Sequence, residues 1–299
     1  MRGKVRKHKK MQRRGTWIRK LVFLIGFGIC MFPVISNVIV RQRQANAVAT
    51  YQQTVEKEAE ENIEKIWNQA KAYNERIFQL KGGQIGEIEE WGETYGQQLN
   101  MHGTDIMGSL DIPKIQVELP IYHGTTEEVL SNGIGHLEGT SLPIGGENTH
   151  SVLTGHRGLP SSKLLVRLDE MKEGDLFFIH TYKEILAYEV DKIRVVKPED
   201  TSWEEIQSGE DRVSIVTCTP YGINSHRLIV TGHRVVYTEG EHRQIKQEIP
   251  SVRELLITGM PMLFACGICG MQIKNWIKMW KSRKRKVGKN KGKARRKYR

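Results

Sequence analysis

The stretch Val213-Ser-Ile-Val-Thr-Cys-Thr-Pro-Tyr-Gly222 carries the strongest chemical signal in the chain. An apolar run leads into Cys218, and Pro220 and Gly222 then interrupt the strand pattern, which puts the thiol at a strand's end beside a loop. A free thiol has a pKa of about 8.5, so only a few per cent is thiolate near neutrality. A nucleophilic role therefore needs a base or a cation nearby. His156, in Leu153-Thr-Gly-His-Arg-Gly158, is a candidate base. Arg227, nine residues after Cys218, opens the next apolar run. If one strand ends at 218 and its neighbour begins at 227, both residues sit at the same edge of a sheet. A guanidinium held there can stabilise the oxygen that turns negative when a thiolate attacks a carbonyl. Losing one such donor typically costs about 3–4 kcal/mol in the transition state.

Each residue taken alone has a plainer reading: a buried core thiol, a surface imidazole, a solvated charge. Together they fit one mechanism. Thr-Gly-His-Arg occurs twice, at 154–157 and 231–234. His156 is followed by Gly158, Pro160 and two serines, so it ends its strand at a loop. His233 is followed by Val235-Val236-Tyr237, so its strand continues. A strand-end position reaches a groove more easily, which favours His156. His226, next to Arg227, is a weaker third candidate. A zinc site fits poorly, because the central region offers one Cys and scattered His without ligand spacing. A papain-like order, with Cys before His and an Asn downstream, is also a poor match.

The elements that must position these residues are short. Alternating strands are expected at 107–112, 116–122, 150–155, 175–180, 184–196, 212–217 and 227–237, with short helical pieces at 126–132, 161–168 and 202–207. Many strands with few helices point to a closed barrel or a sandwich. Upstream, Val55, Ala59, Ile63, Ile66, Ala70, Tyr73, Ile77 and Leu80 recur at three- and four-residue steps. That is one apolar face of a helix from about 45 to 80, acting as a stalk or packed on the main domain. Residues 84–104, Gly-rich and acidic, read as a mobile loop joining it to the body.

The chain has 299 residues and a net charge of +12, but the charge is unevenly placed. Ten of the 46 Lys and Arg lie in 1–20 and twelve in 281–299, where there is no acid, so 24 bases face all 34 acids in between. Nucleic acid is discounted, since its binding domains carry basic charge on a folded face. Each basic tail borders a charge-free run: Leu21 to Val40, then Leu255 to Ile273. Twenty helical residues span about 30 Å, a bilayer's hydrocarbon core. Basic flanks favour the cytoplasmic side. Two membrane spans with both termini inside and an extracellular middle are the expectation. A signal peptide cleaved near Ala45-Asn46-Ala47 competes, although its apolar run would be long and Arg41 and Arg43 intervene. Cys30, Cys266 and Cys269 fall in the apolar runs, which leaves Cys218 as a lone thiol outside. An unpaired thiol in an oxidising compartment suggests reactivity.

Thr-Gly-His-Arg-Gly-Leu-Pro-Ser (154–161) and Val-Thr-Cys-Thr-Pro-Tyr-Gly-Ile-Asn-Ser-His-Arg-Leu (216–228) closely resemble the sortases, specifically the class C, pilin-polymerising group. The similarity also takes in Gly-Ser-Leu-Asp-Ile-Pro-Lys-Ile (108–115), Leu-Pro-Ile-Tyr-His-Gly (119–124) and Gly-Ile-Gly-His-Leu-Glu-Gly-Thr-Ser-Leu-Pro (133–143). The resemblance implies a mostly β fold: an eight-stranded sortase β-barrel with short helices, preceded by a helical stalk and flanked by two transmembrane helices. The boundaries follow as a basic cytoplasmic tail 1–20, a span 21–40, stalk and possible lid loop 41–106, barrel 107–240, linker 241–254, a second span 255–273 and a basic tail 274–299. It gives Cys218, His156 and Arg227 the family's catalytic positions. It implies substrates, pilins or surface proteins, with an LPxTG-like C-terminal signal cleaved between Thr and Gly. The chain would be held as a thioester and passed to a lysine amine of another pilin. No metal or organic cofactor is implied. Class C members often carry an Asp-Pro-aromatic lid, and 84–104 contains no Asp-Pro. Glu90 and Trp91 are the candidate substitutes. An exported membrane-anchored cysteine protease, transferring to water, and a non-catalytic scaffold are the rival readings.

Overall fold

Period-two alternation of Val, Ile, Leu and Tyr between turn residues produces eight strands in the computed structural model. It describes residues 2–81, 95–101, 104–158, 164–182, 184–248, 259, 263–274 and 276–277, without side chains for 2–20 and 30. The strands are β1 (Ile106–Ile112), β2 (Val117–His123), β3 (Ile134–His136), β4 (Thr149–Thr154), β5 (Leu176–Thr181), β6 (Glu184–Val196), β7 (Asp211–Thr219) and β8 (His226–Val235). They close into a barrel in the order β1-β2-β3-β4-β7-β8-β6-β5. The pairings β2·β3 and β4·β7 are parallel and the rest antiparallel. Sequence periodicity missed β3, because three residues are too few to express alternation.

The chain divides into two units, Ile35–Ile249 and a second made of Met1–Val34 with Pro250–Arg299. In the first, alternate residues such as Leu110, Ile121, Phe177, Ile179, Tyr188, Ile215 and Val230 fill the barrel. Phe177 stacks on Tyr188 with ring centroids 5.5 Å apart. Gly232 makes room for this pair: a Cβ there would lie 2.7 Å from the Phe177 ring and 2.9 Å from the Glu189 carbonyl oxygen. The Gly of the second Thr-Gly-His-Arg thus serves interior packing.

Helices α1 (Arg2–Lys57) and α2 (Glu60–Lys81) cover the periodic stretch. Tyr51, Val55, Ile63, Ala70, Tyr73 and Ile77 belong to the same apolar cluster as the barrel interior. Of the two roles left open by periodicity, packing on the main domain is the one observed. The Tyr51 hydroxyl donates to the Met107 carbonyl (3.0 Å) and accepts from the Tyr182 amide (2.9 Å), pinning α1 to β1 and the β5–β6 turn. Part of the expected linker is also core. Tyr95, Leu99 and Met101 are almost fully buried. Single apolar residues in a Gly-rich stretch carry no period, so their burial is a tertiary fact. Glu90 and Trp91 lie outside the described residues.

In the second unit, Leu24, Ile29, Phe32, Leu263, Phe264 and Met271 are exposed apolar side chains. Among the described residues no single helix is long and apolar enough to cross a membrane. The pair Leu21–Ile29 and Met31–Lys57 passes by length and composition, with a 42° bend between its halves, and Leu263–Lys274 is a shorter apolar helix. The 255–273 run lies partly outside the described residues.

Candidate active site

Strand register brings the three singled-out residues to one face. Cys218 on β7 stands directly opposite Arg227 on β8. Facing positions of an antiparallel pair have Cβ atoms about 4.5–5.5 Å apart. On the other side of β7 runs β4, in parallel, with Thr154 beside Val216. The pairing continues past the end of β4. The Gly155 amide donates to the Val216 carbonyl (3.0 Å), and the Thr217 hydroxyl donates to the Gly155 carbonyl (2.8 Å). His156 therefore comes level with Cys218.

The side of the wall follows from parity. Val213, Ile215, Leu228 and Val230 point into the barrel. Val152, Val216 and Ile229 form a separate outer cluster, against which Leu137, Val196 and Trp203 pack. Cys218 follows Val216 by two residues and Arg227 precedes Ile229 by two. Both lie at the strand ends on the outer face, beside an apolar floor. Cys218, His156 and Arg227 are each partly exposed.

Two devices fix the His156 segment. Gly155 has no side chain because a Cβ there would stand 2.7 Å from Ile134 and 3.0 Å from Leu165. The Leu165 amide donates to the His156 carbonyl (3.2 Å). Arg157, buried, then reaches across: its guanidinium donates to the Thr219 hydroxyl and pairs with Asp169. The residue after the histidine is tied to the residue after the cysteine.

Nearby ionisable groups complete the picture. The His156 Nε2 lies 3.1 Å from a Glu127 carboxylate oxygen. Glu127 opens the short helix α3 (Glu127–Asn132). Sequence reading missed it, since a Glu in a polar turn looks like any solvated acid. An Arg227 nitrogen donates to the carbonyl oxygens of Asn224 (3.3 Å) and His226 (3.2 Å). His226 is level with Thr219, so it projects from the opposite face of β8. His233 pairs with Arg212, six residues along β7 from Cys218, or about 20 Å of strand. It lies 3.6 Å from Asp191. The second Thr-Gly-His-Arg serves charge pairing and packing.

Deeper histidines are kept neutral by burial. His136 is pushed down to about 4 by desolvation, with its Nε2 2.8 Å from the Ser141 carbonyl and its Nδ1 2.9 Å from the Tyr95 hydroxyl. His150 is likewise lowered to about 4, chiefly by burial, between Ser214 and the Glu205 carbonyl. Among the described residues no group of His, Cys, Asp and Glu could hold a metal ion.

A thiol, an imidazole and a guanidinium on one strand-paired face suit acyl transfer through a thioester. A sortase domain matches residues 110–235. The chain is 47% identical to sortase C1 from Streptococcus agalactiae, covering 64% of itself and 100% of that chain with a TM-score of 0.61. The chain belongs to the sortase family. A second sortase structure, Clostridium perfringens sortase C with the C-terminal cell wall sorting motif, is 38% identical, with 64% and 100% covered and a TM-score of 0.57. These neighbours place this sortase with class C, the pilin-polymerising group. Among curated sortases, sortase D of Bacillus subtilis is 36% identical over 132 residues, 43% of this chain and 63% of that protein. The chain thus spans less than two thirds of that relative's length. Sortases are cysteine transpeptidases.

Proposed function

We propose that this sortase cleaves an LPxTG-like signal between Thr and Gly, and joins the new acyl end to a lysine amine of a pilin subunit. The observation that carries the reading is the level placement of Cys218, His156 and Arg227 on the outer face of β4, β7 and β8. The Cys218 thiolate attacks the Thr carbonyl carbon and a C–S bond forms. Arg227 steadies the oxyanion. As the C–N bond breaks, the protonated His156 gives its proton to the leaving Gly amine. An incoming lysine amine then loses a proton to His156 and attacks the thioester. The amide forms, and the sulfur leaves as thiolate. The apolar floor of Val152, Val216 and Ile229 offers the peptide a dry wall beside the thiol. The similarity to a sortase C solved with its sorting motif supports the substrate class.

The deciding experiment incubates the full chain with a sorting-signal peptide, with and without a lysine-bearing acceptor. Mass spectrometry should find an acyl group on Cys218 and an amide-linked product that grows with acceptor. Cleaved peptide alone, even at high acceptor concentration, would instead make the protein a protease. Turnover by Cys218→Ala would end both readings.

We further propose that 21–40 and 255–273 lie in the membrane, with both basic tails cytoplasmic and the sortase domain extracellular. Their charge-free composition and the exposed apolar side chains of the second unit support this. Protease protection of both tails in intact cells tests it. Glu90 and Trp91 remain the proposed cover of the groove. Replacing both with Ala should then speed alkylation of Cys218.

A further inference from the structure

We infer that Glu127 is a positioning residue for His156: its carboxylate accepts the Nε2–H and fixes the tautomer that leaves Nδ1 free for chemistry at Cys218. The inference rests on the proposed acid–base role of His156. It starts from the 3.1 Å contact between the two side chains. An imidazole has one proton to place when neutral, and a partner on one ring nitrogen decides which nitrogen is left for chemistry.

A contact between an exposed acid and a half-buried histidine would mean little if the acid swung freely. Here the backbone beneath it is held on three sides. The Thr126 hydroxyl accepts from the Val129 amide and caps α3 ahead of Glu127. The Gly124 amide, just before that turn, donates to the buried Tyr95 hydroxyl at 2.9 Å. On the inner side, α3 sits on β3 at Gly135, where a Cβ would come within 3.1 Å of Leu130 and 3.2 Å of Val129. Gly135 is the register partner of Thr154, two residues before His156. The absence of a side chain at 135 therefore sets how closely Glu127 approaches the imidazole. Glu127 from α3 contacts the His156 ring, and Cys218 on β7 with Arg227 opposite it on β8 stands level with it. On its own segment, Arg157 is occupied by Thr219 and Asp169. Glu127 is the acid in contact with the ring among the described residues, so no second carboxylate there duplicates its effect.

The test compares the full-length protein with Glu127→Ala, Glu127→Gln and His156→Ala. It measures kcat/KM on a sorting-signal peptide, and the His156 tautomer by nitrogen NMR. Glu127→Ala should lower kcat/KM about 2- to 10-fold. It should also mix the two neutral tautomers. Glu127→Gln keeps an acceptor oxygen, so it should preserve the tautomer and recover most of the activity lost in Glu127→Ala. The side chain is mostly exposed, and unchanged melting temperatures would rule out misfolding as the cause. An unchanged tautomer in Glu127→Ala overturns the inference, whatever happens to kcat/KM. If His156→Ala still turns over, the proposed function fails as well. If His156→Ala is dead while both Glu127 variants match wild type, only the role of Glu127 falls.

Discussion

Arg157→Ala separates a site held together by side chains from one held by strand register alone. Arg157 is 7% exposed, and it joins the strand end after His156 to the strand end after Cys218. Removing it strips the Thr219 hydroxyl of a charged donor, a bond worth about 1.5–3 kcal/mol. The Asp169 side chain is half exposed, so water replaces its lost partner and that pair adds at most about 1 kcal/mol. Together these give about 2–4 kcal/mol. For a unit of roughly 200 residues that lowers Tm by about 4–15 °C. Catalysis should suffer further, since a 1 Å shift of a reacting group costs about 100-fold. The assay pairs a thermal scan in detergent with kcat/KM for acyl transfer, and with the iodoacetamide alkylation rate of Cys218. Thr219→Val, which removes only the hydroxyl, should fall between the two proteins. A variant that melts with wild type and transfers acyl groups within about 3-fold of it would refute the reasoning, because register would then suffice.

Arg227→Lys should lose about 100-fold or more in kcat, because a point charge cannot reproduce a planar fork of donors; single-turnover acylation measures it. His233→Ala should lower Tm modestly through its loss from Asp191 while leaving acyl transfer intact, and a well-folded but inactive variant would contradict the assignment of the duplicated motif. Gly232→Ala should destabilise the barrel by about 1–3 kcal/mol, since the new methyl meets the Phe177 ring and a carbonyl; denaturant unfolding reads this. Stability should fall as pH drops from 7 to 5. His136 and His150 are held down to about 4 when folded and ionise near 6.5 when unfolded, so the unfolded chain binds the extra protons in that window. The fully developed loss is about 3 kcal/mol per histidine, reached near pH 4. The partly buried carboxyls of Asp111 and Asp211, raised by desolvation, oppose it further into acid. A flat Tm between pH 7 and 5 would count against neutral buried histidines.

Much of the fold was legible because local pattern and tertiary role coincide. The strands that run as alternating Val, Ile and Leu, such as β6 and β7, were found within a few residues of their ends. Cys218 stood out because a thiol, a proline and a glycine in succession stop a strand. The apolar face of 55–80 announced burial, but periodicity could not say against what. β3, three residues long, left no period to read.

The amino-acid sequence by itself determined the strand-end thiol, the separation of basic tails from an acidic body, and the resemblance to sortases, since each depends on residues near one another in the chain. Only the tertiary structure decided the face of the wall on which Cys218 sits, the use of one Thr-Gly-His-Arg for packing, and the partnership of Glu127 with His156. Those depend on closure of the barrel, which sets residues 29 and 62 positions apart side by side. No local pattern encodes that approach, because the register that creates it is fixed by core packing summed over all eight strands.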